Sequence, residues 1–219
     1  MQYKGITLDW LRHDCFRIKG KKSIVFTDPY MISEEYHEGD LVLVTHDHYD
    51  HLDLQSIKKV INEKGVIVAP QNCYDKLKGV KNRVILVKPD EFKIVDDVSI
   101  KTVPSYNTNK FRTKDEVFHP KDHGNVGYVF IVDGIRIYIA GDTDLIPEMT
   151  NVKVDIALLP VSGIYVMNVE EAAEAAIKIN ADLTIPAHYG SGIGTLNDAQ
   201  RFKSLTDDKI KVAILESID

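Results

Sequence analysis

The segment His46–His51 carries three histidines and Asp50 within six residues, directly after the apolar run Leu41–Val44. Neutral imidazole nitrogens and ionised carboxylate oxygens are the ligands that divalent metal ions prefer in proteins. Four ligand-type residues at this spacing have no packing reason to coincide. The segment therefore predicts a metal site at the end of a buried strand, and a fold that brings further ligands to that strand end.

Composition indicates one soluble globular domain spanning residues 1–219, with 44% apolar and 27% charged residues. No apolar run approaches the ~20 residues of a membrane span, and no signal-peptide pattern opens the chain. The only cysteines, Cys15 and Cys73, form no Cys-x-x-Cys pair, so a cytoplasmic location is expected. A net charge of −6 argues against nucleic acid as a partner.

The hydrophobic pattern places strands and helices in both halves of the chain, an order that suits two sheets packed face to face with helices outside. Strands are predicted at 5–10, 15–18, 23–27, 41–44, 66–69, 83–87, 91–95, 99–103, 126–132, 135–140, 154–160, 183–186 and 211–215. Helices are predicted at 54–62, at 71–77, from a cap at Asn168 to 179, and from a cap at Asn197 to 205. The polar stretch 105–125 has no period, and loops of that length are usually functional or mobile.

Two more ligand-type residues follow predicted strands. Asp142 comes after the run Ile139-Ala140-Gly141, and His188 comes after Ile185-Pro186-Ala187. Alone, Asp142 is typical of a helix or turn cap, and His188 is typical of a structural histidine. Since strand ends in such folds converge on one site, we expect both to join the histidine segment.

These three motifs, in this order, resemble those of the metallo-β-lactamase superfamily, on the branch of metal-dependent hydrolases near the L-ascorbate-6-phosphate lactonases and the N-acylphosphatidylethanolamine phospholipases D. The matching features run from the segment Leu8–His13 to His188. The resemblance implies an α/β fold, a four-layer αβ/βα sandwich of two mixed sheets with the metals at one edge. It also implies metal ligands, namely His46, His48 and a third histidine for one ion, Asp50, His51 and His188 for a second, and Asp142 as the bridge.

The third histidine is not where many relatives have it, because the corresponding stretch reads Pro104-Ser105-Tyr106-Asn107. His119 and His123 in the long loop are the candidates, and His119 is favoured. If neither binds metal, the first site is weak and the protein works with one ion.

Other residues are candidates for contact with substrate or for support of a metal ligand: His13, Asn107, His123 and Tyr189. The cations Lys110, Arg112 and Lys114 of the long loop could meet a phosphate or carboxylate, although a solvated loop is the favoured interpretation.

The sequence thus predicts a metal-dependent hydrolase that uses a metal-bound hydroxide on a small ester, lactone or phosphoester, with Asp50 orienting the nucleophile. One or two divalent ions are expected, with zinc favoured over manganese and iron. A nucleic-acid phosphodiesterase of the same fold and a non-catalytic metal-binding sensor are the alternatives. The sequence leaves open whether the chain forms a homo-oligomer.

Overall fold

The computed structural model describes all residues from Met1 to Asp219. Thirteen strands form two mixed sheets. The first sheet has the order β1-β2-β3-β4-β5-β6-β7, with β1 Gln2–Tyr3, β2 Ile6–Arg12, β3 Cys15–Lys19, β4 Ile24–Thr27, β5 Gly39–Leu43, β6 Ile61–Pro70 and β7 Arg83–Val87. The second sheet has the order β13-β12-β11-β10-β9-β8, with β8 Phe92–Val95, β9 Val98–Pro104, β10 Val126–Val132, β11 Ile135–Ile139, β12 Ile156–Pro160 and β13 Leu183–Ala187.

Four helices complete the sandwich predicted from the sequence. They are α1 Leu54–Val60, α2 Tyr74–Leu77, α3 Val169–Ile179 and α4 Leu196–Thr206. The first two follow strands of the first sheet, and α3 and α4 contact β12 and β13 of the second. No helix is both long and apolar enough to cross a membrane.

Both faces of β5 are buried, as its unbroken apolar sequence predicts. Leu41 and Leu43 belong to a cluster of 48 buried hydrophobic residues that fills the space between the sheets and reaches α3 and α4. Val42 and Val44 point the other way, into a cluster of 14 buried residues beneath α1 and α2. Alternating side chains on one strand therefore fix it between two apolar layers.

Strand direction brings the chemically important ends together. Strands β4 to β7 are parallel, and so are β11 to β13. The carboxyl ends of these strands lie at one edge of the sandwich, and the residues that follow them face each other there. Gly141 adopts a positive φ of 63°, and a Cβ on it would lie 2.9 Å from Cβ of Thr45. Only glycine permits so close an approach between the ends of β5 and β11.

Two predicted helix boundaries were wrong. The helix predicted to reach Asn62 ends at Val60, because Ile61 is already extended and pairs with Gly39 of β5. Thr195, not Asn197, caps α4, and the Asp198 carboxylate accepts hydrogen bonds from both its backbone N–H and its hydroxyl.

The strand predicted at 211–215 was also wrong, for a topological reason. The C-terminal segment crosses from the second sheet to the first instead of running along one strand. It makes one bridge to each, Val212 with Thr184 and Ser217 with Trp10. The predicted cap Asn168 and the Asp133-Gly134 hairpin were confirmed.

A buried hydroxyl ties the two sheets beside the metal-ligand edge. Tyr128 of β10 donates a hydrogen bond of 2.7 Å to the carbonyl of Val44 at the end of β5. We expect Tyr128→Phe to lower the free energy of unfolding by about 1–2 kcal/mol, because a buried carbonyl loses its donor. Urea denaturation measures the change.

Tyr138→Phe is the matched control, since the Tyr138 hydroxyl is buried without a hydrogen-bond partner. Its removal is expected to leave stability unchanged or slightly raised. Equal losses in both variants would contradict the role given to the Tyr128 hydrogen bond.

Candidate metal centre

Ligand-type atoms form two adjacent groups at the edge where the strands end, and a third set of buried residues, Asp14, His51, Asp142 and His188, overlaps both. In each group the donor atoms all lie within 4.8 Å of one another. The first group consists of His46, His48, His119 and Asp142. The second group consists of His13, Asp50, His51 and His188.

Asp142, a member of the first group, also faces the second. Its Oδ1 is 3.2 Å from Nε2 of both His51 and His188. Its Oδ2 is 3.4 Å from Nε2 of His119 and 3.9 Å from Nε2 of His46. One carboxylate oxygen thus faces each group, which is the arrangement that a bridging carboxylate requires.

Hydrogen bonds at the outer nitrogens of His51 and His46 set their ring protonation. His51 Nδ1 donates to the Asp28 carboxylate at 2.8 Å. Thr45 gives its single hydroxyl proton to the same carboxylate at 2.7 Å, so its oxygen is left to accept from Nδ1 of His46 at 3.0 Å. With the proton on Nδ1, the Nε2 lone pair of each ring is directed at the cluster.

His119 and His188 are supported in the same way. The Asn107 side-chain oxygen accepts from both the backbone N–H and Nδ1 of His119, at 3.0 and 2.8 Å. Ser162 Oγ lies 2.9 Å from Nδ1 of His188. His48 differs, because its Nδ1 faces the group, 3.1 Å from Nε2 of His119. Support of this kind fixes ring orientation, as it does for histidines that bind metal.

The inner atoms are buried polar atoms without hydrogen-bond partners. They are Nε2 of His13, His46, His51 and His188, together with Oδ1 of Asp142. Buried polar groups are nearly always satisfied, and each exception calls for an explanation. Several lone pairs directed at one small volume fit a cation better than they fit one another.

His13 and His188 are joined through the backbone. The His13 carbonyl accepts from the His188 N–H at 3.2 Å and from the Trp10 indole at 2.9 Å. Both histidines have a positive φ, 53° and 57°, a conformation disfavoured for residues with a side chain. The fold holds these two residues in place against a local preference, as is frequent at functional sites.

The long loop reaches the cluster because Asp144 anchors it. Its buried carboxylate accepts from the N–H groups of Thr108 and Asn109, at 2.6 and 2.8 Å, and from the side-chain amide of Asn107 at 3.1 Å. Asn107 in turn holds His119. The loop has little regular structure, yet the buried Asp144 side chain fixes its base through these hydrogen bonds.

Some of the predicted site residues lie within the two ligand groups, and others lie outside them. All seven predicted metal ligands lie in the two groups, and His13, which we predicted to support a ligand or face substrate, lies among them. His123 is exposed in a short 3-10 turn outside both groups. Asn107 is buried behind His119, and Tyr189 stacks on Trp10 with ring centroids 4.7 Å apart.

Sequence reasoning missed four supporting residues, namely Asp28, Thr45, Asp144 and Ser162. Asp28 follows β4 as His46 and Asp142 follow their strands, so the strand-end signal that found those two could have found it. Asp144 and Ser162 carry no such signal, because their roles depend on which loops they contact.

The cluster has uneven proton affinities. Burial lowers the pKa of His119 to about 4 and lowers that of His46 as well. Burial also acts to lower the pKa of His51, but the charges of Asp142 and Asp28 outweigh it and the pKa is raised. Burial raises the pKa of Asp50, yet contact with His13 and the charge of His51 bring it down to about 2.

A cavity of about 330 Å3 opens above the cluster, with His48, Asp50 and Asp142 among its lining residues. A larger groove near Asn62 contains no member of either ligand group. Substrate-sized space therefore adjoins the cluster itself.

The similarity of this chain to known proteins covers the whole site. A sequence model of the beta-lactamase superfamily domain matches residues 7–188, a range that contains every member of both ligand groups. The UPF0173 metal-dependent hydrolase of Methanoculleus marisnigri is 34% identical, with 97% of this chain and 96% of that protein covered. The corresponding protein of Pyrococcus furiosus is 33% identical, with 96% of each covered. A crystal structure from Parabacteroides distasonis superposes with a TM-score of 0.80 at 33% identity and covers 97% of this chain and 93% of that one.

Asp28→Asn tests the support of His51. An amide cannot hold the ring proton as a carboxylate does, so we expect zinc affinity to fall about 10–100-fold, measured by competition with a chromogenic chelator. Asp47→Asn is the control, because Asp47 belongs to the same motif but lies near Lys76 and in neither ligand group. Equal affinities of the Asp28 variant and the unaltered protein would contradict this role.

Zinc binding is expected to release protons. Burial acts to lower the pKa values of His51 and His188, but the charge of Asp142 outweighs it and both are raised, so zinc has to compete with protons for these two rings. Each proton that zinc displaces from these rings should make its affinity rise about tenfold per pH unit. Chelator competition at pH 6, 7 and 8, with calorimetry in two buffers of different ionisation enthalpy, measures both quantities. An affinity that does not change from pH 6 to 8 would contradict the assignment.

Proposed function

This chain belongs to the beta-lactamase superfamily and is similar along nearly its whole length to metal-dependent hydrolases, and we propose that it is itself a metal-dependent hydrolase of a small ester, lactone or phosphoester. The observation that carries the proposal is the set of buried, unpartnered ring nitrogens directed at one carboxylate. Histidines in a structural core satisfy both nitrogens, whereas these keep one nitrogen of each ring in reserve.

The proposed ligands follow the two groups. His46, His48 and His119 would hold one ion, and the Asp142 carboxylate would bridge to a second. Asp50, His51 and His188 would hold the second ion, with His13 close enough to join them. A donor set of imidazole and carboxylate suits zinc, with manganese and iron as alternatives.

A bound divalent ion lowers the pKa of a water molecule to about 7 and polarises the oxygen of the group under attack, as is known for metal hydrolases in general. The residues of the chain supply orientation. The low pKa of Asp50 keeps its carboxylate ionised at neutral pH, and it lines the cavity. It is therefore placed to accept a hydrogen bond from the attacking water and fix its direction.

The substrate must also fit the space available. A cavity of about 330 Å3 is at the small end of the range for ligand sites. His48 is exposed at its floor, so a substrate can approach the ligand groups without a large rearrangement. This geometry supports a small molecule over a nucleic acid, in agreement with the net charge of −6.

His48→Ala and Asp142→Ala are expected to lose bound metal and at least 100-fold in hydrolytic activity while the fold survives, since each removes a proposed ligand. Metal content is measured by atomic emission, activity on a panel of chromogenic phosphodiesters, lactones and thioesters, and folding by circular dichroism.

His119→Ala and His123→Ala form the matched pair for the third histidine. The first should behave like His48→Ala, and the second should keep both metal and activity because His123 lies outside both groups. Full activity of His48→Ala or Asp142→Ala in metal-analysed protein would overturn the proposal. So would stoichiometric metal in the unaltered protein with no turnover on any class of the panel, which would favour a metal-binding sensor.

A further inference from the structure

We infer that the cavity above the metal-ligand groups selects substrates that carry a second, non-reacting oxyanion, and that Arg112 binds it. This inference rests on the proposed function, because the floor of the cavity is the proposed reaction centre. It adds the chemical class of the substrate and names a residue for specificity.

The cavity has three kinds of surface. Its floor is polar and includes His48, Asp50 and Asp142. Its walls are largely apolar and aromatic, and consist of Tyr49, Phe118, Tyr165 and Ile193. Arg112 is the single cationic residue among those that line it. A ligand that fills the cavity thus has a reacting group at the floor, an apolar part against the walls and a negative group at Arg112.

The charge of Arg112 is not used within the protein. Lys110, two residues earlier, is neutralised by Asp144 at 3.3 Å and by Glu171 at 2.7 Å. No carboxylate lies within 4 Å of the Arg112 guanidinium, and no hydrogen bond of this side chain is found. A guanidinium binds carboxylate and phosphate through two parallel hydrogen bonds, so a free one at the rim of a cavity is suited to an oxyanion.

Arg112 is held in a defined place although it lies on a loop. Its backbone N–H donates to the carbonyl of Glu116 at 2.7 Å, and Phe111 and Val117 form a bridge around it. The N–H of Phe118 donates to the carbonyl of Lys110 at 3.0 Å. These contacts close residues 110–118 into a small hairpin, which we call the loop hairpin.

The loop hairpin is joined to the opposite wall of the cavity. Phe118 packs edge to face on Tyr165 with ring centroids 4.7 Å apart. The Asn107 side-chain amide donates to the carbonyl of Tyr165 at 2.9 Å. Since Asn107 also holds His119, the distance from the proposed metal ligands to the hairpin is set by packed and hydrogen-bonded groups.

Three esters with one six-carbon acyl chain test the inference in the zinc-loaded protein. They are 4-nitrophenyl hexanoate, the mono-4-nitrophenyl ester of adipic acid, and the analogue that ends in a phosphonate. We expect a higher kcat/KM for the two anionic esters than for the neutral one. Arg112→Gln should lower kcat/KM for an anionic ester about 10–100-fold, mainly through KM, and leave the neutral ester within about twofold. If Arg112→Gln lowers kcat/KM more for the adipate ester, the preferred group is a carboxylate. If it lowers kcat/KM more for the phosphonate ester, the preferred group is a phosphate.

Lys114→Gln is the matched control, because it removes the same charge from the same loop hairpin at an exposed position that does not line the cavity. Lys114→Gln should leave the ratio of kcat/KM between the anionic and the neutral esters unchanged. Ile193→Ser should lower kcat/KM for the neutral and the anionic esters by the same factor, because it alters only the apolar wall of the cavity. Equal effects of Arg112→Gln on neutral and anionic esters, or equal effects of Arg112→Gln and Lys114→Gln, would overturn the inference.

Calorimetry with unreactive probes separates this inference from the proposed function. Adipate should bind the zinc-loaded protein more tightly than hexanoate, and Arg112→Gln should remove that difference. If no ester is hydrolysed but the difference depends on Arg112, the anion site stands and the proposed hydrolase function fails. If the esters are hydrolysed but adipate and hexanoate bind equally, the hydrolase stands and the anion site is wrong.

Discussion

The site depends on one carboxylate that the second sheet places against the histidines of the first. Asp142 follows β11 of the second sheet, yet it faces His46 and His51, which follow β5 of the first. Such an approach needs a glycine at position 141 and a tight contact with Thr45. The large core between the sheets keeps the two edges in register, so packing energy far from the site determines the spacing of its ligands.

Hydrogen bonds around this carboxylate fix which nitrogen of each neighbouring histidine ring carries the proton. Asp28, Thr45 and Asn107 each occupy the outer nitrogen of a histidine and leave the inner one free. The network is buried and nearly every outer group in it is satisfied, while the inner atoms are not. A protein that keeps several lone pairs unsatisfied in its interior incurs a cost in folding that a bound cation would remove. Stability and ligand binding are thus linked through the same few hydrogen bonds.

Much of this site could be predicted from sequence, because its signals are local. The His46–His51 segment stands out by composition, and Asp142 and His188 by their positions after apolar strands. His119 was harder, since nothing near it in the chain marks it. Its place depends on Asp144, 25 residues away, which anchors the loop at its base. The segment 211–215 was misassigned for a similar reason: its residues favour a strand, but the chain there is leaving the second sheet, with one bridge at Val212, on its way to the first sheet, which it meets at Ser217.

The loop hairpin and His119 belong to one excursion of the chain, which is fixed at its base by Asp144 and contains only one short 3-10 turn and one isolated β-bridge. Residues there can change without disturbing either sheet, because none of them contributes to the core between the sheets beyond Tyr106. Of the proposed metal ligands, only His119 lies on this excursion, and the others lie at strand ends, so the loop hairpin can vary with little effect on the two ligand groups. Substitutions within residues 110–118 would therefore alter the shape and charge of the cavity while the strand-end residues stay in place, so evolution could change ligand preference at this one loop.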